Sequence, residues 1–390
     1  MKRPVYLDYH ATTPVDRRVC DAMLPYFCET FGNAASKTHP YGWDAADAVQ
    51  LAREQVARLV GVSAKEICFT SGGTEANNLA VQGAARANRA RGNHIVTACT
   101  EHSSVIDTAR HLEEEGFRVT VLPVGADGLI DLNRLEDALD DRTLLVSVMA
   151  GNNEIGVLQP IREAAAIAAK RGVPFHTDAV QAAGKVPFDV AALGVDLASM
   201  SAHKMYGPKG IGALVVRRRK PGIEIEAMMH GGRHEQGLRS GTLNVPGIVG
   251  FGRAAEICAA ELETEAPRLA SLRDRLLGRL RELGGVTVNG SLERRLPHNL
   301  NVAFAGVEPE ALLMSLGDLA ISTGSACASA SAAPSHVLTA LGLGDDLARA
   351  SLRFGLGRFT TEEEIDFAAD RVANAVRQLR EKAARLGVAR

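Results

Sequence analysis

Between about residue 45 and residue 250, short apolar runs alternate with stretches in which apolar positions recur every three or four residues. The runs are ICFT (67–70), HIVTAC (94–99), LLVSVM (144–149), VPFHT (173–177), DLASM (196–200) and IGALVV (211–216). Continuous runs of that length between helical patterns predict strands buried on both faces, hence an α/β fold with a mainly parallel sheet. Residues 251–283 predict one long helix, and LNVAF (300–304) predicts a later strand. Thr360 or Thr361, followed three residues on by Glu363 or Glu364, forms a capping box, after which Ile365, Ala368, Val372, Ala375 and Leu379 share one helical face. The change of pattern predicts a large domain over residues 15–255 and a smaller α+β domain built from residues 1–14 and 256–390.

Composition narrows this further. A chain of 390 residues exceeds what one hydrophobic core serves, so two units are expected. With 44 basic and 46 acidic residues the net charge is -2, which gives no bulk drive toward nucleic acid or an anionic membrane. The run Arg217, Arg218, Arg219, Lys220 reads as a solvated strand end. No apolar stretch reaches the roughly 18 residues a membrane span needs, and the first residues lack the apolar core of a secretion signal, so a cytoplasmic location is expected. The six cysteines (20, 28, 68, 99, 258, 327) show neither disulfide nor zinc spacing, and no metal site is expected. Five read as core thiols. Cys327 differs, because it lies in STGSACASASAAPS, whose small residues predict an exposed loop.

In an open α/β sheet ligands bind beyond the carboxyl ends of the strands, so the polar residues that follow each run carry the chemistry. After ICFT come Ser71, Gly72, Gly73, Thr74 and Glu75 and then a helical pattern, a turn that offers backbone N–H groups to a phosphate; an ordinary capped helix is the alternative. After VPFHT come Asp178, suited to pair with a protonated pyridine nitrogen or simply to cap the next helix, and Gln181. After DLASM come Ser201, His203 and Lys204, the last a candidate Schiff-base amine. His102 follows HIVTAC, and Asn152, Asn153 and Glu154 follow LLVSVM. Arg353, in SLRFGLGRF, offers a fork for a substrate carboxylate. Together these supply a phosphate cradle, a ring-facing imidazole, a pyridinium carboxylate and an imine-forming lysine. No P-loop or dinucleotide fingerprint is present, which argues against NTP or NAD.

These motifs resemble the cysteine desulfurases of the iron–sulfur-cluster type, in the fold-type I class-V aminotransferase superfamily. The likeness runs from Pro4 to about Leu379 and rests on YLDYHATTP (6–14), FTSGGTEANNLA (69–80), TEHSSV (100–105), NNEIGV (152–157), HTDAVQAAGK (176–185), SAHKMYGPKGIGAL (201–214), HGGRHEQGLRSGT (230–242), STGSACASAS (322–331) and SLRFGLGRF (351–359). It implies that Lys204 binds pyridoxal 5'-phosphate covalently, that His102 stacks on the ring and moves protons, and that Asp178 and Gln181 meet the ring nitrogen and hydroxyl. It implies that Gly73, Thr74, Ser201 and His203 hold the phosphate, with Thr242 arriving from the second subunit of a homodimer. Asn33, Asn153 and Arg353 would surround L-cysteine, and Cys327 would take its sulfur as a persulfide and pass it to an acceptor protein for cluster assembly or thiolation of tRNA or cofactors. Three departures stand out. The chain lacks the extension that scaffold-feeding members carry after the last helix; it reads Gly32-Asn33-Ala34-Ala35-Ser36 where GNPAS is usual; and its glycine-containing run before Cys327 fits the long-loop group. The competing readings are a selenocysteine or cysteine lyase that needs no Cys327, and a noncatalytic scaffold, against which Lys204, His102 and Asp178 all speak.

Overall fold

The computed structural model describes residues 3–219, 222–323 and 334–385. Its thirteen strands, in chain order, are β1 (Val5–Tyr6), β2 (Ile67–Thr70), β3 (His94–Ala98), β4 (Arg118–Leu122), β5 (Thr143–Ser147), β6 (Phe175–Asp178), β7 (Leu197–Ser201), β8 (Gly212–Val216), β9 (Val286–Val288), β10 (Asn299–Phe304), β11 (Leu319–Ala320), β12 (Ser322–Thr323) and β13 (Ser351–Gly355). Seven of them form one sheet in the order β2-β8-β7-β6-β5-β3-β4. Only β8 runs against its neighbours β2 and β7; the other pairs are parallel. Every apolar run marked in the sequence is a strand here. Within this sheet the one strand not anticipated, β4, lies at the edge, where Arg118 and Val121 are exposed and no continuous apolar run is needed.

A second, antiparallel sheet has the order β12-β13-β10-β9, and β1 pairs with β11 beside it. Separate hydrophobic clusters serve the two sheets. One holds Val96, Val146, Phe175 and Val215; the other holds Leu7, Leu300, Phe304, Phe354 and Ile365. Each fully buried aliphatic or Phe side chain contributes about 1.5–3 kcal/mol, so these clusters dominate the stability of both parts. The helix Val245–Arg281 serves both, giving Phe251 and Cys258 to the first cluster and Leu269, Leu272 and Leu276 to the second, with Pro267 between them. The last helix, Glu362–Arg385, starts at the expected box, where the Glu364 backbone N–H donates to Thr361 Oγ1 (3.2 Å) and the Thr361 N–H to the Glu364 carboxylate (3.1 Å).

Two expectations need correction. Among the described residues only Cys68 and Cys258 are buried thiols; Cys20 and Cys99 are half-buried and Cys28 is exposed, because it ends a short helix with no buried residue. The basic run after β8 is not simply solvated, since Arg217 pairs with Glu66 (3.1 Å) and Arg219 with Asp196 (2.5 Å). Cys327 lies outside the described residues.

Candidate active site

The site is built on the carboxyl edge of the seven-stranded sheet. After β2 the chain turns through Ser71 and Gly72 into the helix Gly73–Ala87. A side chain on Gly73 would meet Val180 Cγ2 at 2.8 Å, and one on Gly212 would meet Gly72 Cα at 2.7 Å. These two contacts explain why glycine stands where the turn packs against β8 and Val180. The Glu75 carboxylate closes the turn by accepting from the Ser71 N–H (2.7 Å) and Arg239 Nε (2.9 Å). In front lies a cavity of about 410 Å³ lined by Thr12, Gly73, Thr74, Ser201, His203 and Lys209. Helix N–H groups, hydroxyls and a lysine facing one hollow make a site that can take a phosphate. Burial, with Lys204 and Lys209 nearby, holds His203 down at about 4, so it faces this hollow as a neutral imidazole whose Nδ1 lies 3.1 Å from Thr12 Oγ1.

Asp178 ends β6 and is buried. Its carboxylate accepts from the Val180 N–H (2.9 Å) and from Asn77 Nδ2 (2.7 Å). Asn77 also donates to Ser104 Oγ (2.9 Å), and that hydroxyl lies 2.8 Å from His102 Nδ1. His102 caps the helix Ser103–Glu114 by accepting from the Ser104 N–H at 3.1 Å. Burial lowers the His102 pKa, partly opposed by the charge of Asp178, so the ring is held in its neutral form. Gln181 is held from the amino-terminal segment: its Oε1 lies 3.0 Å from His10 Nδ1, and its amide donates to the His10 carbonyl (3.1 Å). Neither Asn77, Ser104 nor His10 was singled out by the sequence.

Lys204 ends a single 3-10 turn after β7, and its ammonium donates to the carbonyls of His10 and, at 2.8 Å, Ala11. The structure therefore brings Gly73, Thr74, His102, Asp178, Gln181, Ser201, His203 and Lys204 to one sheet edge. Arg353 comes from β13 of the other sheet, buried, donating to the Asn153 carbonyl (2.9 Å) and to Asp8 Oδ1 (2.7 Å), while its Nε has no partner. Asn33 and Thr242 are exposed. Asn33 turns on its own backbone, accepting from the Ala35 N–H (2.9 Å), and no contact joins either residue to the others. The segment before Thr242 is pinned to β2: Glu235 takes two hydrogen bonds from Arg53 (2.7 and 2.6 Å) and one from the Phe69 N–H (2.7 Å).

Residues 5–367 match the aminotransferase class-V family model. The chain is 60% identical over 382 residues, covering 98% of this chain and 94% of the relative, to cysteine desulfurase IscS of Anaeromyxobacter sp. (strain Fw109-5). It is 55% identical over 383 residues to cysteine desulfurase IscS of Vibrio vulnificus (strain CMCP6), covering 98% and 95% of the two chains. Among solved structures it is similar to a NifS-like protein (TM-score 0.89, 39% identity, 96% and 100% covered) and to SspA in complex with cysteine (TM-score 0.82, 36% identity, 91% and 99% covered).

Proposed function

The chain belongs to the class-V aminotransferases and, within them, to the cysteine desulfurases, and from that premise we propose how its own residues divide the work of taking sulfur from L-cysteine. The cofactor is pyridoxal 5'-phosphate, which supplies an electron sink for the bonding electrons of the substrate Cα–H bond. The glycine turn and the hollow before it fit its phosphate, held by Gly73, Thr74, Ser201 and His203. With the cofactor bound, Asp178 would meet the ring nitrogen, Gln181 the ring hydroxyl and His102 the ring face, with Asn153 bordering the ring. The observation that carries this reading is the chain His102–Ser104–Asn77–Asp178, closed by hydrogen bonds on the same edge as Lys204.

Lys204 anchors the cofactor and then takes the proton from the substrate Cα. Arg353 keeps unpartnered N–H capacity for the α-carboxylate, with Asn153 beside it and Asn33 assigned to the substrate by the resemblance alone. Cys327 attacks the substrate sulfur as thiolate: an S–S bond forms, the S–Cβ bond breaks, and protonation at Cβ together with return of a proton to Cα leaves L-alanine. His102 is placed to move the protons. The persulfide then passes to an acceptor protein for iron–sulfur cluster assembly or thiolation of tRNA or cofactors. Exposed Leu24, Phe27, Phe31, Tyr41 and Trp43 support a homodimer in which Thr242 serves the neighbouring site. Free thiols support a cytoplasmic setting. Residues 15–255 form the cofactor-binding domain of this scheme, and residues 1–14 and 256–390 the smaller domain that carries Cys327.

Intact-mass measurement after incubation with L-cysteine tests the reading. The chain should gain about 32 Da, one sulfur atom, on the Cys327 peptide, and dithiothreitol should remove it. Cys327→Ser should keep cofactor absorbance near about 420 nm and lose both the mass gain and alanine. A Cys327→Ser variant that makes alanine at the wild-type rate would favour the lyase reading.

A further inference from the structure

The turn that presents Lys204 ends on a residue that ought to be glycine. Met205 and Gly207 donate their N–H groups to the Ala202 carbonyl, both at 2.9 Å, and the chain escapes through a left-handed residue between them. Left-handed backbone after a helical turn costs a bulky side chain free energy and favours glycine. Here it is Tyr206, at φ 62°. Such a residue persists only where its surroundings over-determine it.

Those surroundings are complete. The Tyr206 N–H donates to Thr13 Oγ1 (2.8 Å), its carbonyl accepts from the Asp16 N–H (2.9 Å), and its hydroxyl accepts from the Arg358 N–H (2.6 Å). The ring is fully buried, with Lys185 Nζ 3.9 Å and Arg358 Cζ 4.3 Å from its centroid. Arg358 is also paired with Asp16 (2.9 Å) and Glu265 (2.7 Å), whereas Lys185, itself buried, has Glu265 at 3.7 Å. Buried lysine is costly without close compensation, so the face of the Tyr206 ring is a main reason for Lys185 to be there. Thr13 ties this assembly back to the catalytic turn, since its N–H and hydroxyl both donate to the His203 carbonyl at 3.0 Å.

We propose that Tyr206, braced by Lys185 and Arg358, is a positioning residue that fixes the amine of Lys204 against the His10 and Ala11 carbonyls. The proposal rests on Lys204 being the cofactor amine, and borohydride fixation followed by peptide mapping of the wild-type chain tests that premise separately. The variants Lys185→Met, Tyr206→Gly and Tyr206→Phe are stripped of cofactor, and the rate at which pyridoxal phosphate attaches to Lys204 is followed together with kcat, KM and thermal unfolding. Methionine keeps an apolar contact with the ring, and Glu265 keeps Arg358, so Lys185→Met should fold. It should load Lys204 about tenfold more slowly and lose a similar factor in kcat, with KM for cysteine within about twofold, as misplacement of a reacting group does. Tyr206→Phe retains the ring face and should stay within about threefold of wild type. Tyr206→Gly separates strut from turn: glycine suits the backbone better, yet loading should slow at least as much as in Lys185→Met. Loading at the wild-type rate by either Lys185→Met or Tyr206→Gly would overturn the proposal; should the glycine variant fail to fold, Lys185→Met decides alone.

Discussion

The two sheets hold their functional residues in opposite ways. At the carboxyl edge of the large sheet, side chains from separate elements satisfy one another: Asp178 from β6, Asn77 from the helix after β2, and Ser104 and His102 after β3. On the small sheet Arg353 stands by itself on β13, and its partners, Asp8 and the Asn153 carbonyl, come from outside that sheet. In the first arrangement the hydrogen bonds that join the four side chains are made before any ligand arrives, although Asn77 Oδ1 keeps no partner, so it suits a cofactor that stays through every turnover. The second keeps a buried guanidinium with Nε unpartnered, which suits a substrate that enters and leaves. Preorganised dipoles favour the chemical step, whereas a charge awaiting its partner favours binding.

Replacing one residue on each side sharpens that contrast. Asp178→Asn removes the buried charge that we propose for the ring nitrogen while leaving the Val180 N–H an acceptor. Turnover should fall by about three orders of magnitude, the upper scale for losing one preorganised electrostatic partner. Stopped-flow measurement of kcat checks this, and cofactor should still attach through Lys204. A tenfold or smaller loss would show that the network merely packs the site. Arg353→Ala should act differently, raising KM for cysteine about ten- to a hundredfold, the scale of one charge-assisted hydrogen bond, with kcat much less affected. If kcat falls and KM holds, the arginine belongs with the preassembled side and the contrast fails.

The same contrast explains what the sequence reveals. The polar residues of the large sheet follow apolar runs directly, so the runs that announce strands also announce Asp178, Lys204 and His102. What joins them is not local: Asn77 meets Ser104 across 27 positions and Asp178 across 101, and nothing in a helical stretch of small and polar residues marks Asn77 for that task. His10, Thr13 and Tyr206 are equally hidden, because a short amino-terminal segment crosses back onto the 203–206 turn. Edge strand β4 escaped because its half-exposed positions need no apolar run. Glu235 escaped because its partner Arg53 lies 182 positions away, although a buried charge always needs such a partner.

The smallest expected effect lies where the two sheets meet. Glu154 is buried, its carboxylate accepting from the Ser335 hydroxyl (2.5 Å) and its carbonyl from the side-chain amides of Asn299 and Asn301, each at 3.1 Å. Burial raises the carboxyl to about 7, against the opposing pull of Ser335 and Arg353. An unfolded glutamate ionises near about 4.3. Below that value both states are protonated and the pH dependence is nil; between it and about 7 the unfolded chain releases a proton that the folded chain keeps, so stability falls as pH rises. Glutamine cannot titrate, and its side-chain oxygen can still accept from Ser335. Thermal unfolding of Glu154→Gln should therefore shift in the variant's favour, relative to wild type, by on the order of 2–5 °C between pH 5 and pH 8. Parallel Tm curves would mean that Glu154 ionises normally in the folded chain and that the joint beside Arg353 already carries a full negative charge.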